Sequence, residues 1–360
     1  MRRISQERVK PNPSSGLKSD FTSYSVLARN TLMPISKNET MRGVWLENQT
    51  IILRDDLPLP ELKTGEALIR LRQAGICGTD LQLLKGYYPF IGIPGHEFVG
   101  EVVQAPEAAH LIGKRVVGEI NIGCGQCALC HGGLSKHCRQ RSVLGIKNHN
   151  GAFADYLSLP VANLHVVPDH LPDEKAVFAE PVAAAARILE QVNIDPGNSV
   201  LVIGAGRLGL LIAQVVNTTQ CQLRVVARHD KQKQILKQFG VTAIDDHQLP
   251  SSEADIVIEA SGSPSGLQSA IKAVKPTGTI VLKSTYAGET GFNFSRIVVD
   301  EINIIGSRCG AFEPALKLFA DNQIDPTPLI SHQFSLNQAL QAFEAASRPG
   351  SLKVILHPAT

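Results

Sequence analysis

The sequence contains no apolar run that approaches the roughly 20 residues needed for a membrane-spanning helix. It also has no large excess of either charge, because 35 Lys and Arg stand against 33 Asp and Glu. A dedicated nucleic-acid or membrane-surface binder would carry a marked basic excess, so neither class of partner is expected. With 43% hydrophobic and 19% charged residues, the 360-residue chain has the composition of a globular protein with room for two domains.

Residues 1–40 differ from the remainder. They hold seven Lys and Arg, three Asp and Glu and ten Ser and Thr, with little hydrophobic periodicity. A basic, Ser-rich, acid-poor leader is typical of an organelle transit peptide. A disordered tail and translation that begins at Met41 are the other two interpretations. Strand-like patterning starts at once in MRGVWLENQTIIL, so folded structure is expected to begin at Met41.

Two kinds of pattern divide the rest of the chain. Up to about residue 160, short β-rich runs such as EALIRLRQAGI and EFVGEVVQA are broken by Gly and Pro, which is typical of a small all-β module. From about Asn198, strands such as SVLVIG, DIVIEA and EINIIGS alternate with helices. This alternation predicts an α/β domain with a doubly wound parallel sheet.

Four of the seven cysteines lie within fifteen residues, in the spacing C-x2-C-x2-C-x7-C: Cys124, Cys127, Cys130 and Cys138. A tetrahedral zinc ion takes four thiolates at about 2.3 Å, so this spacing favours a structural zinc. An iron–sulfur cluster is the nearest rival, although the last gap exceeds that of the ferredoxin pattern and no proline follows. The odd cysteine total suits a reducing compartment better than a disulfide framework.

A site closed by four thiolates leaves no position for a substrate, so chemistry is expected elsewhere. Cys77 in GICGTD, His96 and Glu97 in PGHEF, and Glu180 in FAEPVA supply a second donor set. One thiolate, one imidazole and one or two carboxylates can form an open, catalytic zinc site. Each of these residues also has a simpler explanation when considered alone. Cys77 would be a small core residue, and the pair of His96 and Glu97 would be solvated surface residues.

The order GICGTD, PGHEFVGEV, the four-cysteine lobe, AEP and GAGRLG resembles the zinc-dependent medium-chain alcohol dehydrogenase family. The resemblance covers essentially everything from Met41 onward. It implies a GroES-like, mostly β catalytic domain over residues 41–184, to which residues 311–360 return. A Rossmann dinucleotide-binding domain would then occupy residues 185–310.

The same resemblance implies roles for single residues. Cys77, His96 and a carboxylate would hold the catalytic zinc, and the pair of Glu97 and Glu180 matches the sorbitol- and threonine-dehydrogenase-like branch. Which of the two glutamates binds the metal stays open. The cysteine lobe would hold the structural zinc, giving two zinc ions per chain.

Thr79 and Asp80, which follow Cys77 closely, match polar residues that lie beside the metal in this family. Asp80 matches the position that hydrogen-bonds the zinc-ligating histidine and fixes its tautomer. Thr79 matches the hydroxyl that passes the alcohol proton onward. Many members have a histidine where this chain has Gln82, and an amide cannot act as an acid or base near neutral pH. The outer proton relay must therefore run through water, cofactor hydroxyls or another group.

A G-x-G-x-x-G motif lies between a predicted strand and helix in VLVIGAGRLGLLIA. Glycines there allow a tight turn, close approach of a pyrophosphate and helix–strand packing, and the helix N-terminus adds partial positive charge. The cofactor is therefore expected at this turn, which comprises Gly204, Gly206, Arg207, Leu208 and Gly209.

The tip of the second strand, in LRVVARHDKQK, carries Arg228 where an NAD enzyme usually places Asp or Glu. Asp230 is predicted instead as the N-cap of a helix that starts at Lys231. NADP(H) is thus favoured over NAD(H), because Arg228 can pair with a 2′-phosphate. Alternatively, an Arg228 side chain directed into solvent would not discriminate between NADP(H) and NAD(H). By the resemblance, Lys353 matches a position where a basic residue contacts the cofactor pyrophosphate. The alternative is a lysine on a strand that is directed into solvent.

These predictions combine into a zinc-dependent oxidoreductase that transfers a hydride between NAD(P)(H) and a small alcohol or polyol, or its carbonyl counterpart. A biosynthetic dehydrogenase for one pathway metabolite is an alternative with the same site. A non-catalytic nucleotide-binding zinc protein is the alternative of another class. The family suggests a homodimer or homotetramer. A cytoplasmic location is expected, with an organelle as the alternative if residues 1–40 are a transit peptide.

Overall fold

The computed structural model describes residues 39–285 and 291–358. Within these ranges, no helix has both the length and the apolar character that crossing a membrane requires. The predicted leader lies almost entirely outside the described residues, so its three interpretations remain predictions. The first strand begins at Thr40, next to the predicted start of folded structure at Met41.

The first half of the described chain is mainly β-structure. Its strands are β1 (Thr40–Glu47), β2 (Thr50–Pro58), β3 (Glu66–Ile76), β4 (Glu97–Gln104), β5 (Arg115–Gly118), β6 (Asn121–Ile122), β7 (Ser142–Val143), β8 (Tyr156–Pro160) and β9 (Leu164–Val166). Its helices are α1 (Gly78–Leu83), α2 (Ala128–His131), α3 (Asp173–Ala176) and α4 (Ala179–Gln191).

The second half contains a six-stranded parallel sheet. Its strands are β10 (Ser199–Ile203), β11 (Gln222–Val226), β12 (Thr242–Ile244), β13 (Ala254–Glu259), β14 (Val274–Leu282) and β15 (Asn303–Gly306). The helices between them are α5 (Arg207–Asn217), α6 (Asp230–Gln238), α7 (Pro264–Ala273) and α8 (Ser295–Val299). The order is β12-β11-β10-β13-β14-β15 and every neighbouring pair is parallel, which confirms the predicted doubly wound sheet.

Helices cover both faces of this sheet, and the side chains of β10 show why. Val200 and Val202 belong to a core shared with α4 and α5. Leu201 and Ile203 belong to the opposite core, shared with α7. A parallel strand buried on both faces has no polar side to present, so SVLVIG is a nearly continuous apolar run.

The last described elements of the chain pack against its first half. After α9 (Phe312–Ala320) come β16 (Ile330–Ser335), α10 (Ala339–Ser347) and β17 (Lys353–His357). β17 pairs antiparallel with β3, in the sheet order β16-β17-β3-β4-β5-β9, and β8 also pairs with β3. One continuous core joins residues of both halves, from Val99 to Ile258. The exact boundaries at 184/185 and 310/311 therefore stay predictions.

The segment after β15 packs tightly against α4. A Cβ atom added to Gly310 would lie 2.1 Å from the carbonyl oxygen of Ala183. Backbone cannot yield in the way that a flexible side chain can, so this contact requires glycine. This contact fixes the second turn of α4 against the segment that follows the parallel sheet.

We expect Gly310→Ala to lower the free energy of unfolding by about 2 kcal/mol, because overpacking a well-packed contact costs about 1–3 kcal/mol. Urea denaturation followed by circular dichroism measures this loss. Gly197→Ala is the control, since nothing lies within 4 Å of a Cβ at Gly197. Equal stability of the two variants would contradict the close packing.

Candidate active site

Three of the four predicted donors of the open metal site come together. Cys77 directly follows β3, and Glu97 is the first residue of β4, preceded by His96. One ligand atom each from Cys77, His96 and Glu97 lies within 4.8 Å of the other two. His96 and Glu97 are 3% and 1% exposed, so a charge at this site is shielded from water.

Two glycines make room for this cluster. β3 and β4 are antiparallel, and Gly75 lies opposite Glu97. A Cβ at Gly75 would lie 2.5 Å from Oε2 of Glu97, so a side chain there would displace the carboxylate. Gly95 has φ +99°, and a Cβ there would lie 2.7 Å from the Phe153 ring. The residue before His96 must therefore be glycine for the imidazole to take this position.

Glu180 lies beside the cluster but is not within the group of three. It stands in the first turn of α4, after Phe178 at the N-cap. Burial raises the pKa of its carboxyl group; the charge of His96 opposes this effect and that of Glu97 adds to it. These mutual effects place Glu180 near the site, and the choice between the two glutamates as metal ligand remains open.

Asp80 connects the thiolate and imidazole positions. Its Oδ2 accepts a hydrogen bond of 2.8 Å from the backbone N–H of Cys77. Its Oδ1 lies 3.2 Å from Nδ1 of His96, although the two atoms are not aligned as a hydrogen bond. Burial alone lowers the pKa of His96, but the charges of Asp80 and Cys77 outweigh it and raise the pKa well above its usual value. Thr79 Oγ1 lies 3.8 Å from Cys77 Sγ.

Lys353 reaches this cluster from β17. Its Nζ forms a buried ion pair with Oε2 of Glu97, and the lysine is 2% exposed. The same Nζ lies 5.6 Å from the centre of the Phe178 ring. The sequence-based role at the cofactor pyrophosphate remains a prediction, and the contact with Glu97 was missed. A single lysine within the apolar strand SLKVIL was the available signal, because a charge there must find a partner.

The four-cysteine lobe also assembles. Cys124, Cys127, Cys130 and Cys138 form a second group of possible metal ligands. The Sγ of Cys127 lies 3.6 Å from that of Cys130 and 3.7 Å from that of Cys138. Four sulfurs at about 2.3 Å from one zinc are about 3.8 Å apart in a tetrahedron, so these separations fit zinc. Backbone N–H groups of Gln126 and Cys127 lower the pKa of Cys124 to about 6, which favours its thiolate.

The glycine motif forms the turn between β10 and α5. Gly204 has φ +103°, and Gly206 is the N-cap of α5. A Cβ at Gly209 would lie 1.8 Å from the carbonyl oxygen of Gly204, so the helix crosses the turn at a distance that only glycine permits. Nothing lies within 4 Å of a Cβ at Gly206, which leaves open space at the helix N-terminus where a pyrophosphate would bind.

Arg207 and Leu208, between these glycines, have other contacts. The Arg207 guanidinium donates hydrogen bonds to the carbonyl oxygens of Ala346 and Leu352, at the end of α10 and before β17. It therefore joins the turn to the carboxyl-terminal elements. Leu208 is half-buried against the larger apolar core. Their predicted cofactor contacts are not part of this geometry and remain predictions.

Arg228 lies at the predicted tip of β11, where its Nε donates to Oδ2 of Asp246 at 2.7 Å. Both side chains are exposed, at 68% and 56%. The following helix begins at Asp230 and has His229 as its N-cap, so the predicted N-cap at Asp230 was wrong by one residue. The backbone N–H of His229 donates to Oε1 of Gln232, the third helical residue, at 3.3 Å.

Comparison with known proteins agrees with this geometry. Residues 63–169 match the alcohol dehydrogenase GroES-like domain, and residues 174–357 match the glucose dehydrogenase C-terminus. The chain is 30% identical over 346 residues to an L-threonine 3-dehydrogenase of Shewanella halifaxensis, covering 90% of this chain and 98% of the relative. It is 29% identical over 324 residues to a sorbitol dehydrogenase of Halalkalibacterium halodurans, covering 84% and 94%.

Solved structures show the same arrangement. A putative zinc-binding dehydrogenase from Sinorhizobium meliloti 1021 bound to NADP superposes with a TM-score of 0.82 at 27% identity, covering 89% of this chain and all of that one. A short chain alcohol dehydrogenase from E. coli CFT073 complexed with NADH gives 0.81 at 28% identity, covering 89% and 99%. The resemblance stated from the sequence is thus confirmed. The chain belongs to the zinc-dependent medium-chain dehydrogenase/reductase family and is an NAD(P)-dependent oxidoreductase that acts on alcohol CH–OH groups.

Proposed function

We propose that this enzyme holds one catalytic and one structural zinc and interconverts a secondary alcohol and its ketone, with NADP(H) preferred over NAD(H). The buried group of Cys77, His96 and Glu97 beside Glu180 carries this proposal. The named relatives act on sorbitol and L-threonine, in which a second hydroxyl or an amino group adjoins a carbinol carbon. We therefore propose a small alcohol with a neighbouring polar group, of the polyol type.

Residues of this chain divide the mechanism among them. When bound, the zinc would supply a Lewis acid for the substrate oxygen and the nicotinamide a hydride acceptor. Asp80, whose Oδ1 lies 3.2 Å from Nδ1 of His96, would orient the imidazole. The Thr79 hydroxyl would accept the proton that leaves the substrate hydroxyl and pass its own proton on. Gln82 is exposed and has no titratable group, so the proton passes from Thr79 to water or a cofactor hydroxyl. The glycine turn at Gly206 would hold the pyrophosphate of the cofactor.

A biosynthetic dehydrogenase for one pathway metabolite would use the same residues and differ in the shape of its pocket. The non-catalytic alternative is disfavoured, because Cys77, His96 and Glu97 lie close enough to share one metal ion and the relatives are dehydrogenases. We place the protein in the cytoplasm, because zinc-thiolate lobes require reduced cysteines. An organelle remains the alternative through residues 1–40.

Cys77→Ser tests the catalytic metal. We expect zinc to fall from about two to about one per chain and turnover to fall at least about 100-fold, because a hydroxyl is a poor zinc donor. Zinc is measured by mass spectrometry, and turnover by NADPH and NADH absorbance with sorbitol, L-threonine and butane-2,3-diol. Cys221→Ala, whose thiol is buried away from both metal groups, should keep two zinc ions and full turnover. Unchanged zinc content in Cys77→Ser would contradict the assignment.

Arg228 supports the NADP(H) preference despite its contact with Asp246. An exposed ion pair contributes about 1 kcal/mol or less, whereas hydrogen bonds to a charged group contribute about 1.5–3 kcal/mol. A 2′-phosphate, with its greater charge, can therefore take the guanidinium from the aspartate. Lys231, in the first turn of α6, has its Nζ 3.1 Å from Ser331 Oγ and adds positive charge near Arg228.

Two variants of this pair should move the cofactor preference in opposite directions. We expect Arg228→Asp to change the ratio of kcat/KM for NADPH over NADH at least about tenfold toward NADH, since about 1.4 kcal/mol corresponds to tenfold. Asp246→Asn should shift it toward NADPH, because the guanidinium loses its competing carboxylate. Steady-state kinetics with both cofactors measure the ratio. An unaltered ratio in Arg228→Asp would refute the role of this arginine.

Self-association is supported by the edge of the parallel sheet. β15 pairs with β14 on one side only within the described residues, and it leaves Ile304 39% exposed. In the neighbouring α8, Val298 and Val299 are 73% and 78% exposed, and Phe294, the N-cap of that helix, is 64% exposed. An apolar edge of this kind is suited to pairing with a second copy. We propose a homo-oligomer, and the choice between dimer and tetramer stays open.

Val298→Glu should convert the oligomer to monomer, because a carboxylate would be buried without a partner in the interface. Light scattering on a gel-filtration column measures the mass at micromolar concentration. Val166→Glu is the matched control, since Val166 is 46% exposed on β9 and should leave the mass unchanged. A wild-type protein that elutes as a monomer would overturn this proposal.

A further inference from the structure

Lys283 is a buried cation that the mechanism above does not use. It directly follows β14 and is 8% exposed. Its Nζ donates three hydrogen bonds: to the carbonyl oxygen of Ala184 at 2.6 Å, to Ser307 Oγ at 3.2 Å and to the carbonyl oxygen of Arg308 at 3.1 Å. All three ammonium protons are thus directed at fixed acceptors in two other segments of the chain.

No carboxylate in the described parts of the chain forms an ion pair with Lys283. Burial lowers the pKa of its ammonium to about 8; the charges of Cys309 and Glu180 oppose this effect, whereas those of Arg187 and Lys136 add to it. Burying a cation that has no direct ion pair costs free energy, and an apolar side chain of similar size would pack there without that cost. The three hydrogen bonds of Lys283 offset part of this cost, so stability alone does not favour a lysine over an apolar side chain at this position.

One of the three acceptors, the carbonyl oxygen of Ala184, belongs to the helix that carries Glu180. Ala184 follows Glu180 by four residues, one turn along α4. Gly310 contacts the same turn at Ala183, as described above. The first turns of α4 are therefore fastened to residues 307–310 by two independent contacts, one of packing and one of hydrogen bonding.

The other end of this connection lies where a dinucleotide binds. In a doubly wound sheet, ligands occupy the crevice at the carboxyl ends of the strands. The backbone N–H of Lys283 donates to the carbonyl oxygen of Glu259, the last residue of β13. The backbone N–H of Ser307 donates to the carbonyl oxygen of Leu282, the last residue of β14. Lys283 thus stands at the shared carboxyl edge of β13, β14 and β15.

We propose that Lys283 is a positioning residue for hydride transfer, whose ammonium holds the Glu180 helix at a fixed distance from the carboxyl edge of the parallel sheet. The inference rests on the proposed function, because it assigns the two ends of the connection to metal and nicotinamide. A displacement of about 1 Å between reacting groups can lower a rate about 100-fold. A connection between the Glu180 helix and the carboxyl edge of the sheet therefore affects kcat, although Lys283 does not contact the substrate.

The test compares Lys283→Met, which keeps an unbranched side chain one atom shorter and removes its donors, with Lys283→Arg, which keeps charge and donors. Lys272→Met, on the exposed face of α7, is the control. Turnover is measured with sorbitol, L-threonine or butane-2,3-diol, whichever the wild type oxidises fastest, and with its carbinol-deuterated form. Zinc content, NADPH binding by fluorescence and amide hydrogen exchange of residues 179–186 are measured on the same samples.

For Lys283→Met we expect kcat to fall about 100-fold with a larger deuterium isotope effect, while KM, NADPH affinity and zinc content stay within about threefold. Amide exchange in residues 179–186 should rise at least about tenfold, and Lys283→Arg should recover at least about tenfold in kcat. A kcat within about twofold of wild type overturns the proposal, as does a loss of activity that follows a loss of zinc. If Lys283→Met does not fold, Ser307→Ala decides: a smaller fall in kcat supports the tether, and no fall overturns it.

Hydrogen exchange separates this inference from the proposed function. A wild type that oxidises none of the three alcohols contradicts the proposed substrate class. Faster exchange in residues 179–186 of Lys283→Met supports the tether in that case as well, and unchanged exchange overturns it.

Discussion

The buried ion pair between Glu97 and Lys353 is the constraint on which the catalytic half depends. It joins residues 256 positions apart and lies at 1% and 3% side-chain exposure, beside the Cys77 and His96 donors. Removing one partner of such a pair leaves an unbalanced buried charge, which costs about 3–5 kcal/mol. The return of β17 to β3 is therefore needed both to complete the sheet and to neutralise the carboxylate beside the metal position.

Chemistry that depends on neighbouring residues was predictable from the sequence. The cysteine spacing and the glycine turn are local, because a few consecutive residues must provide a tetrahedral donor set or a tight approach to a phosphate. The parallel sheet was predictable for a related reason, since burial on both faces produces apolar runs such as SVLVIG. The family motifs then placed Cys77, His96 and Glu97 on one site, and the structure brings these three together.

Contacts between distant segments were not predictable. Nothing in the local sequence of Arg207 shows that its guanidinium binds carbonyl oxygens of α10 and the residue before β17. Asp246, the partner of Arg228, lies in a turn after β12 that has no motif of its own. The cap of α6 was misplaced because Asp is a common N-cap residue, whereas here the preceding histidine takes that role.

The separation of Glu97 from its partner has a consequence for the order in which the protein folds. Synthesis is vectorial, and the amino-terminal strands emerge long before Lys353. Until β17 arrives, the nascent catalytic half holds a carboxylate without its counterion, and the end of β3 at residues 74–76 lacks its β17 partner. The whole parallel sheet must be made in that interval. The pocket of Cys77, His96 and Glu97 is therefore among the last parts of the molecule to be completed, because it depends on a late, long-range closure as well as on local motifs.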